Sequence, residues 1–451
     1  MSKLGDLRKK ISLKGSASPV FLVINSFVWY LLTYIIFNST VSTVLKLSGN
    51  DQFVLFATYY ITIAVTAILG SKLFLRRKAL LLNAWLLMGA VATFLLIGLT
   101  ATNMPLNFFI AAFFGASIGL GLPSCLSYFA NLTSVENRGS VGGIAWSAVG
   151  VGVLAFGFII SDIGLWAIVA LTAWRLLGSI GFWILNKRIK IMGDKKPITQ
   201  KTPSYFELIR KREILLYLFP WVMFSIINFA EAPMLEKAFG TGLFATVQII
   251  EFAFIGVFAV LGGLAADLAG RKRVVIAGFV MLGIEYATLS AFSNPQDAAY
   301  LFLTLDGITW GLLFSVFFTT IWGDLGENQE KEKYYTLGGV PFLLAGFLSV
   351  IVKPLASDIP TTTAFTLASF FLFVSVIPLM YAPETLPEKV MKDRDLKSYV
   401  EKAKMKVQKE SEKKQKKEDN EPENGSEEPE RETGESSKED EEARKLAEKY
   451  Y

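Results

Sequence analysis

Up to about residue 382, stretches of some twenty residues almost free of charge recur, separated by short polar connections. A helix needs about 20 apolar residues, roughly 30 Å at 1.5 Å per residue, to cross a bilayer. The runs fall near 19–39, 53–74, 79–101, 106–131, 140–160, 164–186, 213–232, 243–265, 273–293, 298–321, 336–357 and 362–382. About twelve crossings are therefore expected, and with them an all-α integral membrane protein. The whole chain is 52% hydrophobic and 19% charged, more apolar than a soluble protein of 451 residues.

The first run follows Lys3, Arg8, Lys9, Lys10 and Lys14 and is too long for the apolar core of a cleavable signal, so it reads as a first anchor. One cysteine, Cys125, excludes an internal disulfide framework and a cysteine metal site. No histidine is present, which removes imidazole relays, His-ligated metals and Ser-His triads. No metal, no cofactor and no enzymatic activity are expected. The net charge of +5 reflects basic loops rather than a nucleic-acid surface.

Those loops give an orientation. The amino terminus, the 72–78 connection (Lys72, Arg76, Arg77, Lys78), the 187–212 connection and the 271–273 cluster are basic, whereas 102–105, 161–163 and 294–297 contain neither Lys nor Arg. Basic loops stay in the cytoplasm, so both termini are expected there, in a multi-pass protein of the plasma membrane. The 324–333 loop is mixed, with Asp324, Glu327 and Glu330 beside Lys331 and Lys333, and leaves the orientation unchanged.

The domain organisation expected is a six-helix half over 1–186, a basic linker over 187–212, a second half over 213–382 and a charged tail over 383–451. From about residue 405 the tail is Lys, Glu, Ser, Asn and Pro and cannot bury a core, so it is expected to be disordered, with a cytosolic partner only if one exists. Asn131-Leu132 through Glu136-Asn137-Arg138-Gly139 to Gly142-Gly143 follows the fourth run. Asp324-Leu325-Gly326-Glu327-Asn328 through Gly338-Gly339 follows the tenth. Two repeated halves are a transporter architecture.

Between the eighth and ninth runs stands Gly262-Gly263-Leu264-Ala265-Ala266-Asp267-Leu268-Ala269-Gly270-Arg271-Lys272-Arg273. Gly262 and Gly263 lie about one turn above Asp267 and let a neighbouring backbone approach. Asp267 can bind the positive N-terminal end of a facing helix, with the eleventh as one candidate, for about 0.3–2 kcal/mol. Arg271 can pair with a loop acid. This segment resembles the signature loop of the major facilitator superfamily, and the topology is similar to that family over residues 1–390 or so.

The resemblance implies a conformational latch in Gly263, Asp267, Gly270 and Arg271, with Glu136 and Arg138 in a second, acid-Arg-Gly loop. Pro383-Glu384-Thr385 is similar to the tail of sugar-porter members. Lys72 stands where the first-half copy would carry its acid, the fifth run has no proline of the antiporter type, and Lys187-Arg188-Ile189-Lys190 replaces the sugar-porter pattern. The subfamily stays open.

Ionisable residues deep in a run usually face a bundle interior or a cavity. Asp306, with Thr309 and Trp310 one turn on, is the leading proton or cation site; Glu251, with Gln248, is second. The family places helices 1, 4, 7 and 10 around its cavity. The matching polar and aromatic stripes are Asn25, Trp29 and Tyr34, with Tyr30 beside Tyr34, in the first run; Ser117, Ser124, Tyr128 and Asn131 in the fourth; Trp221, Ser225 and Asn228 in the seventh. Glu285 and Arg175 also lie at mid-depth, on helices the family puts at the periphery, and are expected to pack. Glu231 reads as a helix end near the outer surface.

The function expected is secondary active transport by alternating access. A small organic solute is moved, neutral or cationic because acids outnumber bases among the buried charges, with the proton as coupling ion. The bilayer is the surrounding partner and no nucleic acid is expected. A membrane receptor or scaffold acting through its tail is the alternative.

Overall fold

The computed structural model describes residues 16–47, 49–73, 78–159, 164–190, 203–292, 294–387 and short pieces between 391 and 411. The basic amino-terminal stretch, the 191–202 part of the linker and the tail beyond 411 fall outside the described residues. Residues 387 onward form a unit separate from the one ending at Leu386.

The described residues form no strands. Twelve long helices follow in order: α1 Ala17–Val44, α2 Gly49–Leu73, α3 Lys78–Gly98, α4 Met104–Leu132, α5 Arg138–Ile159, α6 Leu165–Lys190, α7 Arg212–Phe239, α8 Thr241–Ala269, α9 Arg271–Leu289, α10 Pro295–Leu325, α11 Glu332–Leu355 and α12 Thr361–Tyr381. Eleven are long and apolar enough to cross a membrane. The exception is α9, whose nineteen residues carry Arg271, Lys272, Arg273 and Glu285.

Local chemistry sets the ends. Asn103 accepts from the Leu106 backbone at 3.1 Å, with Pro105 in the first turn of α4; Asn294 accepts from Gln296 at 3.0 Å ahead of Pro295 in α10. An amide oxygen at the cap satisfies a donor that the helix leaves open, and proline there loses no bond. Within α4 the helix breaks between Gly119 and Leu122, because Pro123 has no N–H to continue the ladder. Trp85 of α3 fills that break and donates to the Ser117 carbonyl at 2.5 Å.

Between α8 and α9 the connection, expected over 266–272 from the apolar spans, is a single residue. Gly270, at φ +101°, ends one helix and starts the next, a conformation costly for any side chain. Arg271, Lys272 and Arg273 are thus the first turn of α9. At the other end of α8's partner, α7 runs on to Phe239. Glu231 is therefore two turns inside that helix and buried, not at its end.

The middle of the bundle is aromatic. Trp146 of α5 stacks on Phe314 of α10 with centroids 4.1 Å apart and planes at 4°. Phe27 of α1 lies 4.7 Å from Trp146, and Trp221 of α7 and Phe342 of α11 close the group around Phe318. Five helices meet here through ring packing, worth about 0.5–1.5 kcal/mol per pair beyond area burial.

Candidate functional site

Beside this aromatic centre lie the acids. Glu251 of α8 and Asp306 of α10 are 8% and 3% exposed and lie close enough to influence each other's charge. Two neighbouring carboxyls in a dry site cannot both ionise cheaply. Trp310, one turn on from Asp306, packs its ring 4.5 Å from Phe314. Asp306 Oδ1 and Thr309 Oγ1 are buried without a partner. Glu285 of α9 is fully buried, has no partner on either oxygen, and lies close enough to feel the charge of both acids. It is buried against neighbouring helices, as expected, but with both oxygens unpartnered. Among the described residues none of the three joins an ion pair.

The other cavity candidates separate. Trp221 packs in the aromatic centre and donates to the Gly338 carbonyl at 2.5 Å; Ser225 bonds back to Trp221 of its own helix at 2.8 Å, and Asn228 is half-buried. Asn25 and Trp29 are turned away from the centre, a correction to their expected place. Asn25 donates to the Trp174 carbonyl at 2.9 Å and accepts from Arg175 at 2.9 Å, while Trp29 donates to Thr93 of α3 at 2.6 Å. The residue α1 presents to the centre is Phe27. Tyr128 likewise bonds within the first six helices, to Asn186 at 3.0 Å and Ser18 at 3.3 Å. Tyr34 meets Tyr60 of α2 at 2.8 Å, Ser124 is buried without a partner, and Gln248 is exposed rather than beside Glu251. A helix in a bundle has neighbours on several sides, so a polar stripe alone does not say which neighbour it meets.

At the end of the bundle that carries Gly270, charges tie helices together. Asp267 accepts from the backbones of Gly139 at 3.1 Å and Ser140 at 2.7 Å and from the Ser140 hydroxyl at 2.5 Å. It thereby caps α5, not α11, the helix named as its candidate from sequence. The reason is proximity: Gly263 and Gly139 bring the α8 and α5 backbones together directly above it. Arg271 bonds Asp267 at 2.9 Å, Asp324 at 3.2 Å and the Val135 carbonyl at 2.5 Å.

Asp324 is the hub that sequence reading missed. It sits fully buried between Arg138 and Arg271 and also accepts from Thr385 at 3.3 Å. The signal was present, since Asp324 opens the second copy of the internal repeat. Arg138 further reaches Glu327 at 3.2 Å and the Ala130 carbonyl at 2.8 Å; Glu136 is exposed in the turn before it. Glu384 accepts from the backbones of Arg271 at 2.8 Å and Lys272 at 3.2 Å, capping α9. Lys78 of α3 pairs with Glu332 of α11.

Glu327 is pushed up by partial burial, but Lys331 at 2.8 Å and Arg138 outweigh this and hold its carboxyl below the ordinary 4.5. A depressed folded pKa means stabilisation that is present above 4.5 and lost as pH falls through the folded value. Glu327→Gln should therefore lower the melting temperature at neutral pH, and the difference from the wild type should close in acid. A gap that persists unchanged below the carboxylate range would refute the ion-pair account.

The model of the family described as Major Facilitator Superfamily matches residues 20–322. Among solved structures, the proton:xylose symporter XylE bound to 6-bromo-6-deoxy-D-glucose is similar at TM-score 0.59 and 16% identity, covering 82% of this chain and 97% of that one. The E. coli fucose:proton symporter FucP is similar at TM-score 0.58 and 11% identity, covering 82% and 100%. None of the curated proteins compared with the chain matches it in sequence. Twelve long helices, a Gly270 turn bracketed by Asp267 and Arg271, and a family match over two thirds of the chain converge: this is a multi-pass membrane protein of the major facilitator superfamily.

Proposed function

We propose that the protein is a secondary active transporter that moves a small organic solute, neutral or cationic, by alternating access and couples it to protons. The observation that carries this reading is the Glu251–Asp306 pair, two neighbouring buried carboxyls that form no ion pair among the described residues. Such a pair gains or loses a proton at little structural cost, whereas holding both charges in a dry interior is very costly. Trp310, one turn on from Asp306 in α10, packs on Phe314, so the pair lies within a turn of the rings between the helices. That XylE and FucP are described as proton symporters supports the coupling. The first six and last six helices act as the two moving halves in this proposal, with the Gly270 end and both termini in the cytoplasm and the protein in the plasma membrane.

The test is Asp306→Asn, which keeps size and hydrogen bonding but removes the titrating group. Proton-driven accumulation should fall to simple equilibration, while exchange of labelled for unlabelled solute persists. Normal accumulation by the variant would remove Asp306 as the coupling site.

A further inference from the structure

Arg175 of α6 is fully buried among the first six helices, and among the described residues no carboxylate pairs with it. Its guanidinium is sandwiched between the rings of Trp29 at 4.3 Å and Trp85 at 4.4 Å. Indole faces attract a cation and account for its two flat sides. The edges are another matter. One terminal nitrogen donates to Asn25 at 2.9 Å and Ser26 at 3.0 Å, while Nε and the second terminal nitrogen have no partner. Those two N–H groups form the fork that takes the two oxygens of a carboxylate, or one round anion, side by side.

The Gly89 backbone of α3 packs directly against this fork. Gly89 of α3 has no side chain over it, and a methyl group there would stand 2.6 Å from Nε. One turn earlier on α6, the Thr172 hydroxyl is buried and also unpartnered. Near one end of the same α1–α3–α6 group lies a cavity of about 220 Å³ lined by Ile36, Thr40, Leu96, Leu99 and Ile168. Ile168 is two turns from Arg175 along α6, roughly 10 Å.

We propose that Arg175, with Thr172 beside it and Asn25 and Ser26 orienting it, binds a small monovalent anion, either a halide or a carboxylate group. The anion neutralises a cation that otherwise stands alone in a dry interior. This site is built from α1, α3 and α6, apart from the acids on α8, α9 and α10. It stands or falls independently of proton coupling.

The flanking tryptophans supply the readout. Full-length protein purified in halide-free detergent solution is titrated with bromide and, separately, with benzoate, following tryptophan fluorescence and melting temperature. Expected is a saturable quench by bromide, or a saturable rise in melting temperature with either anion, weakened roughly tenfold or more in Arg175→Gln and Gly89→Ala. Saturation by bromide alone identifies an inorganic anion, and saturation by benzoate alone a carboxylate-bearing solute. Linear quenching by bromide together with an unmoved melting temperature for both anions in the wild-type protein overturns the proposal, whatever the variants do.

Discussion

Asp324→Ala is expected to loosen the Gly270 end of the bundle and to cost the protein about 3–5 kcal/mol, the usual penalty for removing one partner of a buried charge cluster. Two arginines lose a carboxylate at once, Arg138 keeping only the half-exposed Glu327 and Arg271 keeping Asp267. Arg138 and Arg271 are 1% and 0% exposed, and Asp324 lies between them. The cheapest relief is for α5 and α9 to move until both guanidinium groups reach water. A cysteine placed at Ser140 should then react with a thiol reagent faster than in the parent, by about two orders of magnitude if 3 kcal/mol separates the two forms. Background labelling is low because the native Cys125 is fully buried. Asp324→Asn, which keeps an acceptor but no charge, should fall between. Unchanged labelling and an unchanged melting temperature in Asp324→Ala would show that Glu327, Asp267 and the carbonyl contacts hold the arginines without it.

Gly263→Val is expected to be nearly as severe, by a steric route. A Cβ at Gly263 would come within 2.8 Å of the Gly139 carbonyl carbon and closer still to its oxygen, and backbone cannot yield as a side-chain tip can. The two helices must separate, at about 1–3 kcal/mol for the overpacking. Separation also stretches the bonds from Gly139 and Ser140 to Asp267, now 3.1 and 2.7 Å, each worth about 1.5–3 kcal/mol for a charged acceptor. The valine variant should lose most of its thermal stability margin and its transport, with Gly263→Ala intermediate. Wild-type melting of Gly263→Val would mean that α5 and α8 slide freely and that their contact is not a constraint.

Much of the architecture was legible before any coordinates. Apolar length and the alternation of basic and bare loops are properties of the chain itself, so the spans needed only small shifts. The pieces of the loop segment were legible for the same reason: Gly263, Asp267, Gly270 and Arg271 carry their chemistry within a few residues of one another. What they would touch was not. Asp267 met α5 rather than α11 because that choice is made by which backbones approach closely, a long-range fact. Asp324 looked like one charge in a mixed loop because its arginines lie 186 and 53 positions away. Asn25 and Trp29 were assigned to the wrong side of α1, since the residue that outbids the centre for them, Arg175, sits on another helix. Glu285 is buried because α9 packs between α10 and α12.

One further consequence concerns how distant events are joined. Helix α8 carries Glu251 and, sixteen residues on, Asp267, about 24 Å away at 1.5 Å per residue; α10 carries Asp306 and, eighteen residues on and beyond a π-helical stretch over Leu313–Ile321, Asp324. Each of these two rods therefore holds one member of the deep acid pair and one anchor of the charged tie. In the transport cycle proposed above, a push that parts or rejoins the first two carboxyls would reach the second two along these same helices. No relay of small side-chain shifts has to be invoked, and stiffness of α8 and α10 sets how tightly the two ends keep time.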